Sequence, residues 1–214
     1  MSSGLELRDF SCRAVHNLQL EVVAGQSLGI TGPSGTGKSL FLRAVADLEP
    51  YEGSMFLDGM EANHMPAPQW RRQVGLLPAE SAWWFDTVGE HFGQRAPDGL
   101  EQLGFGPQTL GWQINHLSSG ERQRLALLRL LVHQPRVLLL DEPTANLDSE
   151  NTERVESLLS QYRETHRPAI LWVSHDLGQL KRWCHPILTL KDHHLVEAQP
   201  THSAISSAGP EKAP

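Results

Sequence analysis

Gly32-Pro33-Ser34-Gly35-Thr36-Gly37-Lys38-Ser39 fits the pattern G-x-x-x-x-G-K-[ST] and constrains this chain more than any other stretch. Its flanks fit as well: Ser27-Leu28-Gly29-Ile30 reads as a short buried strand running in, and residues 40–48 as a helix running out. A strand, a Gly-rich turn and a helix make a phosphate-binding loop. The glycines let consecutive backbone N–H groups turn inward around phosphate oxygens, while the new helix adds the positive end of its dipole. Lys38 then supplies a mobile charge for β- and γ-phosphates, and Ser39 offers a hydroxyl to Mg²⁺. The bland alternative is an accidental Gly-rich turn. At an average glycine usage of about 7% the bare pattern arises by chance in roughly one chain in a hundred of this length, and the strand–helix setting makes chance rarer.

The segments around that loop follow two periods. Leu5, Leu7 and Phe10 alternate with Glu6 and Arg8, and Leu18, Leu20 and Val22 with Gln19 and Glu21, the pattern of half-buried strands. Ser54-Met55-Phe56-Leu57 lies between the turn pairs Glu52-Gly53 and Asp58-Gly59. These pieces predict an antiparallel β-layer beside a nucleotide-binding core. After the strand Val74-Gly75-Leu76-Leu77, residues 81–117 carry many Gly and Pro and only weak helical pattern; they are expected to form a small, mostly helical insert. Within it, Trp83-Trp84-Phe85 is either core filling or a surface that docks a partner.

With 214 residues and 39% hydrophobic content the chain can bury one substantial core. One domain over residues 1–198 is expected, followed by a disordered Ser/Ala/Pro/Gly tail over 199–214. A net charge of −7 and the lack of a dense Lys/Arg run argue against nucleic acid as a partner. The first residues lack the charged and apolar regions of a leader, and no apolar stretch approaches the ~20 residues that span a bilayer. The expectation is a cytoplasmic chain, or one on the cytoplasmic face of something else. Cys12 and Cys184 lack any metal or redox spacing and read as ordinary thiols.

Three later stretches carry chemistry. In Leu117-Ser118-Ser119-Gly120-Glu121, Ser118 and Glu121 form a capping box ahead of a helix over residues 118–133, and its N-terminus is a ready anion site. Val137-Leu138-Leu139-Leu140 reads as a strand buried on both faces, ending in Asp141-Glu142. Acids at the C-terminal edge of such a strand lie where an open α/β sheet places its ligand chemistry: Asp141 to hold a Mg²⁺ shell, Glu142 to orient and deprotonate a water. A second buried strand, Ala169-Ile170-Leu171-Trp172-Val173, ends in Ser174-His175-Asp176, so His175 is expected to face the same crevice and touch a γ-phosphate. Asp148 and Asp176 are plausible helix caps. Residues 187–190 and 194–197 read as a hairpin across Lys191-Asp192-His193, with His193-His194 a solvated turn.

Residues 32–39, 117–121, 140–143, 145–148 and 174–176 together resemble the ATP-binding cassette ATPases: phosphate loop, signature, Mg²⁺/base strand, D-loop and switch histidine, in order, over nearly the whole chain. The resemblance implies an α/β phosphate-loop NTPase core with a parallel sheet, an N-terminal antiparallel β-subdomain and a small helical insert. It implies ATP and Mg²⁺ as cofactors and two copies of the chain paired head to tail. Each phosphate loop would then face the other copy's Leu117, Ser118, Ser119, Gly120 and Glu121, with Asp148 linking the two sites. The partner would be a separately encoded membrane permease, and the place the cytoplasmic face of the plasma membrane. Compact bacterial export cassettes, including those proposed to export iron, are similar. A regulatory module that uses ATP to move a non-transport partner is the rival reading.

Departures from the family pattern are expected to matter. The family usually places a Gln after the strand at residues 74–77; here that position is Ala79, with Glu80 beside it. The signature reads Leu-Ser-Ser-Gly-Glu rather than Leu-Ser-Gly-Gly-Gln. No aromatic stands near Arg13-Ala14 to stack on adenine, which leaves Arg13, His16 or a hydrophobic wall.

Overall fold

The computed structural model describes residues 4–93 and 97–197. The tail over 199–214 lies outside the described residues. Two sheets form the frame. The first is antiparallel, in the order β2-β1-β4-β5, from β1 (Gly4–Ser11), β2 (Leu18–Val23), β4 (Glu52–Leu57) and β5 (Met60–Glu61). The second has the order β10-β9-β3-β8-β7-β6. Its parallel strands are β3 (Ser27–Thr31), β6 (Val74–Leu77), β7 (Val137–Asp141), β8 (Ala169–Val173) and β9 (Ile187–Lys191), and β10 (His194–Glu197) closes one edge antiparallel to β9.

The continuous apolar runs have a physical cause in two cores. Val137 and Leu139 of β7, with Leu171 and Val173 of β8, face a cluster built with Leu5, Leu7, Val22 and the apolar face of α1 (Lys38–Val45). Leu138 and Leu140, with Ile170 and Trp172, face the other side, where α3 (Ser119–Leu131) and α4 (Ser149–His166) supply Leu125, Leu128, Val155 and Leu159. A strand covered on both faces has no position left for a polar side chain. The remaining helices are α2 (Ala67–Gln73), which buries Trp70, and α5 (Leu177–Trp183).

Two segments differ from the sequence reading. The helix after the phosphate loop stops at Val45 rather than residue 48, because Asp47 adopts φ 58°. The Asp47 N–H then bonds the Ala44 carbonyl and the Leu48 N–H the Arg43 carbonyl, a Schellman closure. The stretch 81–117 contains no α-helix among the described residues, only 3-10 turns at Gly89–His91, Pro107–Gly111 and Ile114–His116. The expected helix near residues 100–103 is a single turn between Gly99 and Gly104, both at positive φ. With a left-handed glycine at each end, the turn has no room to extend and goes no further than one turn.

Candidate nucleotide-binding site

Strand register sets the site. Ile30 of β3 pairs with Val173 of β8, and Val173 with Asp141 of β7, so three parallel strands end abreast. From that common edge the chain leaves as the phosphate loop, as Ser174-His175-Asp176 and as Glu142-Pro143-Thr144. The crevice beyond the carboxyl ends of such strands is the ligand position of an open α/β sheet.

The phosphate loop is shaped by close approach. Gly32 has φ 143° and a Cβ there would lie 2.6 Å from the Leu190 carbonyl oxygen; Gly37 has φ 99° and a Cβ would meet Ala14 Cβ at 2.8 Å. Only glycine fits both the backbone sign and the space. Gly37 stands before Lys38, so α1 begins at the lysine itself. Pro33, Ser34 and Gly35 are exposed at the loop's tip, with Thr36 pinned by its hydroxyl to the Pro33 carbonyl at 2.9 Å. Lys38 is 7% exposed, and its ammonium donates to the carbonyls of Gly32 at 2.8 Å and Pro33 at 2.9 Å. Burial pushes the Lys38 ammonium below its ordinary value, while Glu142 and Asp141 act in the opposite direction.

Asp141 is buried at the end of β7. Glu142 steps off the strand with φ 50°, held by its N–H bond to the Val173 carbonyl at 3.0 Å. A non-glycine residue there is strained by about 1 kcal/mol. Oε1 of Glu142 lies 3.6 Å from Nε2 of His175 and is a buried oxygen without a hydrogen-bond partner. Burial pushes this carboxyl above the ordinary glutamate value, and Asp141 adds to the rise; His175 and Lys38 pull it down. The His175 side chain is 55% exposed, so its ring stands at the crevice mouth. An orphaned carboxylate oxygen, a buried cation and the exposed Ser39 hydroxyl fit a nucleotide triphosphate and an oxygen-coordinated cation held by Ser39 and Asp141.

Leu117-Ser118-Ser119-Gly120-Glu121 forms the expected capping box. Ser118 Oγ accepts the Glu121 N–H at 3.2 Å, and Glu121 Oε2 accepts the Ser118 N–H at 2.8 Å. Those bonds to Ser118, its N–H first, hold the Glu121 carboxyl below its usual range. Leu117 is buried, while Ser118 and Ser119 are exposed. Among the described residues no hydrogen bond joins this segment to the phosphate loop. Gly120 instead abuts Asn146 and Leu147, since a Cβ there would stand 3.0 Å from Leu147 Cδ2. Asp148 caps α4 through the Asn151 N–H at 2.8 Å, and Asn151 accepts from Arg124 of α3. The N-terminus of α3 and residues 146–148 thus form one block.

Ala79 is half-buried and Glu80 exposed; the Pro78 carbonyl before them accepts from buried Gln123 at 3.1 Å. Glu80 makes no hydrogen bond or ion pair among the described residues. The aromatic run divides by exposure rather than by packing: the Arg129 guanidinium lies 4.4 Å from the Trp83 ring and 4.7 Å from the Trp84 ring, and Trp84 and Phe85 both meet His91 at 5.0 Å, yet Trp84 is 64% and Phe85 46% exposed. The His16 ring packs on that of His193 at 4.7 Å, and the His16 backbone N–H donates to the His193 carbonyl at 2.9 Å. His193 and His194 are exposed at the turn between β9 and β10, as the sequence predicted, with the His193 ring resting on that of His16. Sequence reasoning passed over Gln179, 2% exposed, whose amide reaches Thr144, Ser174 and Glu156. The available signal was its place three residues after the Asp176 cap, on the inward side of α5.

Comparison with known proteins agrees with this geometry. The ABC transporter family model matches residues 15–145. The probable iron export ATP-binding protein FetA of Escherichia coli K12 is 32% identical over 194 residues, covering 85% of this chain and 86% of the relative. The methionine import ATP-binding protein MetN of Escherichia coli O157:H7 is 32% identical over 217 residues, covering 91% of this chain and 62% of the relative. A bacterial Atm1-family ABC exporter with ATP bound superposes with a TM-score of 0.80 at 27% identity, over 92% of this chain and 38% of the exporter's. A phosphate loop, an acid pair and a histidine at one sheet edge, in a chain so matched, leave a single conclusion: the protein belongs to the ABC transporter family and is an ATP-binding ATPase.

Proposed function

We propose that the chain powers a membrane transporter by pairing head to tail with a second copy and hydrolysing ATP between them. The observation that carries the hydrolytic half is Glu142 Oε1, buried, unpartnered and 3.6 Å from His175 Nε2. In this reading Glu142 accepts a proton from water as the water oxygen bonds to the γ-phosphorus and the bond to the β-γ bridging oxygen breaks, leaving ADP and phosphate. His175 and Lys38 hold the γ-phosphate through the charge it develops. Ser39 and Asp141 would hold Mg²⁺, which supplies charge neutralisation to the phosphates. The signature of one copy, with Ser118 Oγ and the N-terminus of α3 exposed and free of its own phosphate loop, would close over the nucleotide of the other. Asp148, at the edge of the block formed with α3, would link the two sites.

The second reading concerns the partner. Among the described residues no helix is long and apolar enough to cross a membrane, so the translocation path would come from a separate permease, with this chain peripheral on its cytoplasmic side. Similarity to FetA favours export, and iron is the cargo that relative's name carries. Purification from its source is expected to bring down a multi-span membrane protein that raises ATP turnover. Recovery with a soluble partner only, and no stimulation by any membrane protein, overturns transport in favour of a regulatory module.

A further inference from the structure

Beyond the sheet, the two halves of the hydrolytic pair diverge. β7 and β8 hold Asp141 against Val173; a further bond joins the Glu142 N–H to the Val173 carbonyl, and the His175 backbone N–H bonds the Glu142 carboxylate directly, so the next tie between the two segments lies farther along them. Past that point the segments carrying Glu142 and His175 are loops. Among the described residues, every hydrogen bond between residues 143–148 and 174–179 runs through the side chain of Gln179. Its Oε1 lies 3.2 Å from Thr144 Oγ1 and 3.4 Å from Ser174 Oγ; its Nε2 lies 3.0 Å from Thr144 Oγ1 and donates to Glu156 Oε1 at 2.8 Å. Thr144 follows Glu142 by two residues and Ser174 immediately precedes His175. Ser174, 3% exposed, also accepts the Asp176 N–H at 3.1 Å and so closes the turn around the histidine.

We infer that Gln179 is a positioning residue for hydrolysis: its buried amide clamps the loop of Glu142 to the loop of His175 and sets their separation, anchored on Glu156. The inference rests on the reading of Glu142 and His175 given above. An amide suits the place because it both donates and accepts, giving N–H to a carboxylate and taking O–H from a hydroxyl. A carboxylate at 179 would face Glu156 at hydrogen-bond distance, and one of the two would have to hold a proton. The remaining charged neighbours are Arg182, whose Nη2 lies 3.2 Å from Glu156 Oε1, and Asp176, which caps the Gln179 N–H.

The test measures kcat and KM for Mg²⁺-ATP in the full chain for Gln179→Leu, Gln179→Glu, and Gln179→Glu combined with Glu156→Gln. Displacing a reacting group by about an ångström costs up to a hundredfold in rate, so Gln179→Leu is expected to lower kcat roughly ten- to a hundredfold while KM stays within about threefold. Relative to the parent at the same pH, Gln179→Glu is expected to be least impaired at low pH, where the carboxyl pair shares a proton, and to fall further behind as pH rises; the double variant, with one carboxylate again, loses that relative dependence. A kcat within about twofold of the parent in both single variants, at equal folded fraction, overturns the clamp. So does a pH profile that the second substitution leaves unmoved. Glu142→Gln, run alongside, separates the two levels: if it retains turnover the hydrolytic reading itself falls, whereas an inactive Glu142→Gln beside fully active Gln179 variants removes the clamp alone.

Discussion

The Glu142 carboxyl sits where its charge is costly, between a hydrophobic strand end and Asp141, and its backbone is held in the left-handed region. Burial, and after it the Asp141 charge, raise its affinity for a proton, which suits the proposed role of taking one from water and releasing it. The sign is definite. A carboxyl raised by burial keeps its proton to higher pH, and only the ionised form accepts another. Turnover should therefore rise with pH through a midpoint above the ordinary glutamate value of 4.5, read from the acidic limb of kcat against pH. A limb at or below 4.5 contradicts the assignment. Glu142→Gln keeps the shape and removes the base, so it is expected to abolish turnover with ATP binding intact by fluorescence titration.

At the scale of elements, the capping box and the two-faced strands differ in what they hold. Ser118 and Glu121 satisfy donors at the start of α3 that would otherwise face water or a ligand. Replacing Ser118 with Ala should cost about 1 kcal/mol in urea unfolding, the usual worth of an N-cap. Leu139, fully buried on the face of β7 that meets α1 and the antiparallel sheet, is a different case. Leu139→Ala should cost about 2–5 kcal/mol, because the cavity lies between elements that cannot collapse onto it. These elements were legible in the sequence: burial on both faces writes a continuous apolar run at 137–140 and 169–173, and capping writes Ser118 and Glu121. The insert was not legible as a structure, since Gly99, Gly104 and their neighbours leave local pattern too weak to choose between a helix and a chain of 3-10 turns.

For the whole molecule, what is proposed at the site requires a second copy. Glu142→Gln in the presence of ATP and Mg²⁺ is expected to sediment as a dimer, and adding Lys38→Ala to return it to monomer, because the phosphates would lose the cation buried at the loop's mouth. A species that stays monomeric at saturating ATP removes the head-to-tail arrangement and leaves the hydrolytic residues without their signature. The block formed by Gly120, Asn146, Leu147 and Asp148 makes this a rigid-body question, as the two segments proposed to meet the second copy are already packed together in one chain.

By itself the sequence determined which strands are buried and where the chain turns tightly, because glycine at a tight turn, apolar runs and caps are local consequences of local physics. Gly32, Lys38, Ser39, Asp141, Glu142 and His175 were singled out on that basis as the candidate site that the proposed function uses. Only the tertiary structure decided that strands far apart in the chain end abreast, putting Glu142 Oε1 3.6 Å from His175 Nε2. It alone showed that Glu142 is turned to φ 50°, that Trp83 and Trp84 share the Arg129 guanidinium while Trp84 stays exposed, and that the amide of Gln179 joins loops some thirty residues apart. Distances between segments follow from sheet register and packing, and neither is written in any single stretch of chain.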